Sequence, residues 1–283
     1  MKKMERLFAL PLFLLICMAL SVPASAAAYK TVPVSTSCEE ADRTVRGAIF
    51  SSVYNTSSGN FSLSVEKDGA TKTITDAATG GTVISNGSVV YYVSKKSGRY
   101  VLYKADLNKG TVKRIGKLTS RGHYGADLLG LYKNTILYIV DSPEGSLAAF
   151  DLKSKKARTI HVGEAFTQGT QHGKYFVLAD GTGAGYSYLG VYNAANGTFR
   201  RIAKLPKEPL IWYSTSKYVY FAELKSGNTF SGKPYTIRVR RYRYATKKTK
   251  TLIRSLKVKY VTDISSKKLT YVTAGGKTKT KKW

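Results

Sequence analysis

The chain has 283 residues, of which 46 are lysine or arginine and 17 are aspartate or glutamate, giving a net charge of +29. Two cysteines in a chain of this length exclude a disulfide-rich scaffold, so the fold must rest on its apolar core. The positive charge attracts polyanions, and the scarcity of carboxylates argues against a calcium cage.

The N-terminus has the three parts of a secretory signal peptide. A basic start is followed by an apolar run and by the small residues Ala-Ser-Ala at 24–26. The alternative is a membrane anchor, but the apolar run is short and contains Pro11. We therefore predict a signal peptide over 1–26 and a single domain over 27–283, secreted or associated with a bacterial cell envelope.

Removal of this leader changes the balance of charged and sulfur-containing residues. It leaves 43 basic and 16 acidic residues, a net charge of +27, and it removes the only possible disulfide partner of Cys38. No later segment has the 18 or more apolar residues of a membrane span. We expect a monomer whose Cys38 has no structural role that the sequence reveals.

A ten-residue block recurs along the chain and ends each time at an isoleucine. Its copies are VEKDGATKTI, DLNKGTVKRI, DLKSKKARTI, NAANGTFRRI and YATKKTKTLI, ending at Ile74, Ile115, Ile160, Ile202 and Ile253. The fifth position is glycine in three copies and lysine (Lys155, Lys248) in the others, which suits the positive φ of a hairpin turn. Each block therefore predicts the end of one strand, a turn and the next strand.

A second element recurs upstream of these blocks. The runs AIFSS, VYYVS, LYIVD, FVLAD, VYFAE and LTYVT follow one another at intervals of 42, 47, 39, 43 and 50 residues. About four short strands per period, without helical periodicity, predict an all-β propeller of six four-stranded blades, with five as the alternative. The last copy lacks an outer strand after it, and YKTVPV at 29–34 is the candidate to complete that blade and close the ring.

The pattern YYVSKKSGRYVLYKADLNKGTVKRI resembles the repeats of TolB-like and related six-bladed propellers of exported bacterial proteins. The resemblance covers most of residues 47–274 and implies a fold. It carries over no functional residue, because proteins of this architecture include enzymes, sensors and scaffolds.

No reaction centre can be assigned from the sequence. The three histidines match no zinc spacing, so neither a metal site nor a cofactor is predicted, and no nucleophile motif occurs. Asp141, Asp180 and Glu223 end equivalent strands and are expected to cap the following turns. The glycine-rich segment 181–190 joins two strands and is interpreted as a hairpin loop.

The most basic stretch is IRVRRYRYATKKTKTLIRSLKVKY at 237–260. Lysine and arginine protect the open edge of an outer strand, but the density here exceeds that need, and arginine is suited to paired phosphate contacts. Tyr242 and Tyr244 are expected to share this surface. The predicted anion-binding residues are Arg238, Arg240, Arg241, Arg243, Lys247, Lys248 and Lys250.

Two aromatic residues precede this stretch. Trp212 and Tyr213 lie on the predicted inner strand of the same blade. At the mouth of a propeller such side chains stack on sugars or anchor a partner, whereas between blades they belong to the core.

The sequence thus predicts an exported, non-enzymatic binding or scaffold propeller of the cell envelope. Its expected partner is an anionic cell-wall polymer or another envelope protein, and export argues against intracellular nucleic acid. The alternative function is a carbohydrate-active enzyme with two carboxylates in the central channel.

Overall fold

Strands make up nearly all regular structure in this chain. The computed structural model describes residues 28–283 apart from 58, 97, 120–124, 142–145, 163–165, 167, 183–184 and 205–208. The helix α1 (Glu40–Arg43) is one turn long.

The first sheet contains nine strands and joins two repeats. An N-terminal strand, β1 (Lys30–Pro33), precedes both repeats. Unit 1 comprises β2 (Thr44–Val45), β3 (Ala48–Asn55), β4 (Asn60–Lys67) and β5 (Ala70–Ala78). Unit 2 comprises β6 (Thr82–Ser85), β7 (Val89–Lys96), β8 (Arg99–Asp106) and β9 (Thr111–Lys117).

Three four-stranded antiparallel sheets and one three-stranded sheet follow. Unit 3 comprises β10 (Gly125–Tyr132), β11 (Thr135–Asp141), β12 (Ser146–Asp151) and β13 (Lys156–Val162). Unit 4 comprises β14 (Gln168–His172), β15 (Tyr175–Thr182), β16 (Gly185–Asn193) and β17 (Thr198–Lys204). Unit 5 comprises β18 (Pro209–Ser214), β19 (Tyr218–Ser226), β20 (Tyr235–Arg243) and β21 (Lys248–Val258). Unit 6 comprises β22 (Tyr260–Ile264), β23 (Lys268–Val272) and β24 (Thr278–Lys282). This all-β architecture agrees with the predicted propeller.

The two repeated sequence elements occupy the predicted places. Each run of the AIFSS type is the second strand of its unit, and each ten-residue block spans the last hairpin. Gly110 at the turn of unit 2 has φ +66°, and Lys155 at the turn of unit 3 has φ +57°. In unit 5 the positive φ falls on Lys247 (φ +54°), one residue before the expected Lys248. Of the glycine-rich segment 181–190, the described residues 181–182 and 185–190 lie on the paired strands β15 and β16, in agreement with the hairpin interpretation.

Neighbouring units pack face to face through buried apolar clusters. Five clusters among the described residues join units 1 and 2, 2 and 3, 3 and 4, 4 and 5, and 5 and 6. Successive side chains of a strand point to opposite faces. Tyr92 therefore packs in the cluster with unit 1, whereas Tyr91 packs in the cluster with unit 3.

The N-terminal strand lies elsewhere than the sequence predicted. It pairs antiparallel with β6, so that Lys30 faces Ser85 and Val32 faces Val83, and not with the last sheet. Val32 is fully buried in the cluster between units 1 and 2. The prediction that residues 29–34 complete the last blade is therefore wrong, because burying Val32 and Val34 between the first two units holds the segment there.

Two further sequence expectations concern the whole chain. Cys38 is a free cysteine, half-buried beside α1. Across the described residues no helix has the length and apolar composition needed to cross a bilayer.

The position of β1 can be tested by cross-linking. In a Cys38→Ser background, the pair Lys30→Cys and Ser85→Cys should form a disulfide on mild oxidation, because facing residues of antiparallel strands bring their Cα atoms to about 4.5–5.5 Å. Mass spectrometry of the digested chain measures the bridge. The matched control joins Lys30→Cys to Thr280→Cys on β24; bridging in the control and not in the first pair would contradict the observed topology.

Candidate functional site

Positive charge is concentrated in the last two units. Residues 217–283 contain 19 of the 46 basic residues and 2 of the 17 acidic ones, so they supply +17 of the net charge of +29. A long-range attraction for anions is therefore strongest at this end of the chain.

The pairing of β19 with β20 divides the predicted arginines between two faces. Arg238 lies opposite Glu223 and Arg240 opposite Phe221, whereas Arg241 lies opposite Tyr220. Because Phe221 packs against unit 4 and Tyr220 packs against unit 6, Arg238 and Arg240 belong to the unit 4 side. Arg241 belongs to the unit 6 side.

On the unit 4 side, the arginines neutralise a buried acid. The Glu223 side chain is 1% exposed. Its Oε1 accepts a hydrogen bond from Nε of Arg238 at 2.7 Å and another from Nη2 of the same guanidinium. Nη1 of Arg240 lies 3.4 Å from that oxygen. A buried carboxylate needs such partners, so the expected turn-capping role of Glu223 is wrong, and its two arginine partners are already ion-paired.

On the unit 6 side, basic residues face each other without acids between them. Arg241 is the cross-strand partner of Lys250, and Arg243 is the partner of Lys248. Like charges directly opposite each other are unfavourable. None of these four side chains forms a salt bridge with a carboxylate of the described residues, so the arrangement is suited to an external anion.

The facing wall comes from unit 6. Lys279 lies opposite Tyr271 and Lys281 opposite Leu269 on the paired strands β23 and β24. Tyr271 and Leu269 pack in the cluster shared with unit 5, so both lysines lie on the face directed towards unit 5, and both are exposed. We name this feature the basic cleft; its residues are Arg241, Arg243, Lys248, Lys250, Lys279 and Lys281.

Aromatic rings border the basic cleft. The guanidinium carbon of Arg241 lies 4.4 Å from the centroid of the Tyr218 ring, a cation–π contact. The C-terminal Trp283 stacks on Tyr220 with centroids 6.3 Å apart, and its indole N–H donates to the carbonyl of Ser266 at 3.0 Å. These contacts fix the end of unit 6 against unit 5 and offer flat surfaces beside the charges.

Three further residues of the basic stretch lie outside this cleft. Lys247 occupies the turn between β20 and β21 and lines a different pocket, together with Tyr242 and Tyr244. Both tyrosines are 3% exposed and pack between units 4 and 5. The two tyrosines therefore lie on the unit 4 side of unit 5 and do not share the face of the basic cleft.

The predicted aromatic pair lies at a central cavity. This cavity has a volume of about 620 Å³ and is lined mainly by β1 and by the first strands of units 2 to 5, with Ile139 of β11 and Tyr186 of β16. Trp212 lines it and also packs against the cluster between units 4 and 5, while Tyr213 is 42% exposed. Both predicted roles of Trp212, core residue and cavity residue, are thus combined in one side chain.

Ser214, which lines this cavity, makes a contact that the sequence did not predict. His172 Nε2 lies 2.8 Å from the hydroxyl oxygen of Ser214, across 42 residues of sequence. Burial lowers the pKa of His172, which favours the neutral imidazole. Among the described residues lining this cavity, Asp127 is the one carboxylate, and its Oδ1 accepts a hydrogen bond from the amide of Gly81.

Metal ligands do not converge in this part of the structure. Within the described residues, no group of three or more histidine, cysteine, aspartate or glutamate side chains has the geometry to hold an ion. The side chain of Asp141 lies outside the described residues.

Comparisons with known proteins identify structures with a similar fold, but they assign the chain to no family. The sequence matches no protein-family model, and no curated protein is similar to it. An oligogalacturonate lyase solved in complex with manganese superposes with a TM-score of 0.51 at 10% identity, over 89% of this chain and 77% of that one. The lyase from Vibrio parahaemolyticus gives 0.48 at 9% identity, over 83% and 74%.

TolB proteins are also among the similar structures. TolB from Acinetobacter baumannii superposes with a TM-score of 0.41 at 16% identity, over 83% of this chain and 63% of that one. TolB proteins therefore stand among the structures similar to this chain, in line with the fold-level resemblance that the sequence predicted. Identities this low transfer no residue roles.

Glu223 allows a direct test of the ion-pair arrangement. Glu223→Gln should lower the free energy of unfolding by about 3 kcal/mol, near the lower end for a broken buried pair, because both arginines keep part of their exposure. Urea unfolding measures the loss. Glu66→Gln changes an exposed carboxylate and serves as the control; equal effects of the two substitutions would contradict the buried pair.

Proposed function

We propose that the mature chain, residues 27–283, is an exported and non-enzymatic binding propeller of the cell envelope that engages an anionic wall polymer through the basic cleft. In this proposal residues 1–26 are removed on export, six blades form the domain, and the protein acts as a monomer. The observation that carries the proposal is the pairing of Arg241 with Lys250 and of Arg243 with Lys248, without neutralising carboxylates among the described residues.

Charge alone does not make a binding site, and the arrangement of the cleft adds two features. Basic side chains come from both walls, so an extended polyanion between units 5 and 6 meets positive charge on two sides. Arginine offers paired N–H donors to phosphate, and lysine adds mobile point charges. The rings of Tyr218 and Trp283 offer apolar surface to the carbon skeleton of a polyol or sugar.

The predicted signal peptide over residues 1–26 supports an envelope location. A wall polymer fits that location, because phosphodiester chains are the abundant polyanions outside a bacterial membrane. Another envelope protein with an acidic surface would use the same cleft, and the choice between the two rests on the binding experiment below.

A second candidate function is supported by the central cavity. Trp212, Tyr213 and Tyr186 line a space of about 620 Å³, and aromatic side chains of this kind stack on sugar rings. The neighbouring lyases are named for oligogalacturonate. A glycosidase needs two carboxylates about 5–9.5 Å apart. The described lining of this cavity contains one carboxylate, Asp127. Turnover of an oligosaccharide by the purified chain would favour this candidate over binding alone.

The basic cleft is tested by removing its charges and comparing salt dependence. The fourfold variant Arg241→Ser, Arg243→Ser, Lys248→Ser and Lys250→Ser should bind purified poly(glycerol phosphate) at least tenfold more weakly at low salt. Its plot of log affinity against log salt should flatten by about 0.7 for each lost phosphate contact, if the polymer releases counterions as single-stranded nucleic acid does. Calorimetry or fluorescence anisotropy measures both quantities.

Unit 2 supplies a control of identical composition. Lys96, Arg99, Arg114 and Lys117 line a pocket of about 410 Å³. Their replacement by serine removes two arginines and two lysines, the same number and type of charges as the cleft variant loses. The control variant should bind within about twofold of the unmodified chain, since it leaves the cleft intact. Equal loss in the two variants would mean that net charge, and not the cleft, causes binding.

A further inference from the structure

A separate pocket lies between units 4 and 5, on the opposite face of unit 5 from the basic cleft. Its volume is about 370 Å³, which lies near the lower end of the range for small-molecule binding sites. We name it the side pocket; the lining residues used below are Tyr175, Phe199, Arg200, Tyr242, Tyr244 and Lys247.

Three tyrosines pack together at the side pocket. Tyr175 and Tyr244 stack with centroids 4.5 Å apart and an interplanar angle of 15°. Tyr242 meets Tyr244 edge to face at 6.2 Å. Because Tyr242 and Tyr244 are each 3% exposed, the rings form a rigid wall rather than mobile surface groups.

One polar group in this wall has no partner. The hydroxyl of Tyr244 is buried and makes no hydrogen bond within the described structure. Buried polar groups are normally satisfied, so an unpartnered hydroxyl in the lining of a pocket indicates a group supplied from outside. Burial and the neighbouring tyrosines Tyr242 and Tyr175 raise the pKa of Tyr244, so at neutral pH this hydroxyl keeps its proton and donates.

Positive charge surrounds the same opening. Arg200 on β17 and Lys247 in the turn after β20 both line the pocket, and both are exposed. Arg200 is close enough to Tyr242 for its charge to oppose the rise that burial causes in the pKa of that phenol. The lining that the structure describes contains no carboxylate, so the group that best completes this set is an anion with several acceptor oxygens.

We infer that the side pocket binds the phosphate group of a phosphorylated polyol or sugar. The phosphate oxygens accept hydrogen bonds from the hydroxyl of Tyr244, from Arg200 and from Lys247, while the carbon skeleton lies against Phe199 and the tyrosine rings. Such charge-assisted bonds are about twice as strong as neutral ones. A volume of about 370 Å³ holds one such unit and not a folded polymer.

Two sources share this chemistry. The ligand is either a free sugar or polyol phosphate, or one repeating unit of the wall polymer, and the second source rests on the proposed function. A connection between the two sites exists in the turn after β20, because Lys247 lines the side pocket and the next residue, Lys248, belongs to the basic cleft.

The experiment uses the mature chain and glycerol 3-phosphate, with glycerol as the neutral probe. Calorimetry at low salt should show saturable binding of the phosphate and none of glycerol. Tyr244→Phe should weaken binding at least tenfold while the melting temperature stays equal or rises, because the substitution removes an unpartnered hydroxyl and keeps the ring stack. Arg200→Gln, an exposed change, should also weaken binding and reduce its salt dependence.

Tyr192→Phe is the matched control. The hydroxyl of Tyr192 accepts a hydrogen bond from Nη2 of Arg158 at 2.9 Å and does not line the pocket, so this variant should keep full affinity. The inference is overturned if glycerol 3-phosphate fails to saturate the unmodified chain up to about 10 mM, or if Tyr244→Phe binds as tightly as the control.

Comparison with the cleft variant separates this inference from the proposed function. The fourfold cleft variant should retain glycerol 3-phosphate binding even where it loses the polymer. Competition between glycerol 3-phosphate and the polymer for the side pocket supports the polymer as the source, and simultaneous binding of both supports the free phosphate.

Discussion

The fold depends on the face-to-face packing of neighbouring sheets. Among the described residues the one cysteine, Cys38, is free, so the energy that holds the units together comes from apolar burial. Large side chains such as Phe50, Phe150 and Phe221 are completely buried between units. Because each inner unit is covered on both faces, a strand must carry apolar residues at successive positions and not only at alternate ones, as the paired aromatics Tyr91 and Tyr92 do.

The same alternation determines what the charged residues do. In β20 a single step along the chain moves a side chain from one inter-sheet space to the next. Arg240 therefore lies within reach of the buried Glu223, whereas Arg241 lies over Tyr218 in the basic cleft. The basic run is continuous in sequence, but the sheet divides it into three groups. Arg238 and Arg240 form ion pairs with Glu223. The basic residues of the cleft face each other without an acidic partner among the described residues, and Lys247 lines the side pocket.

Local features of the fold were predictable from the sequence, and long-range pairings were not. The hairpin blocks ending at Ile115 and Ile202 form as predicted because turn chemistry and strand alternation act over a few residues. The position of β1 depends on which distant strand offers the better buried face, and no spacing encodes that choice. The partner of Glu223 and the burial of Tyr244 likewise depend on register and on the neighbouring unit. For the candidate site, the basic stretch was identifiable, but its division between faces and the contribution of Lys279 and Lys281 required the sheet pairing.

The proposed function assigns binding to the basic cleft of the last two units, and amide hydrogen exchange tests that location directly. The mature chain is exposed to deuterium with and without saturating poly(glycerol phosphate) at low salt, and protection is followed peptide by peptide. The account predicts slower exchange in β20, β21 and β24, whose side chains line the cleft, and little change in β2 to β9. Protection confined to units 1 and 2, or to the first strands around the central cavity, would contradict it.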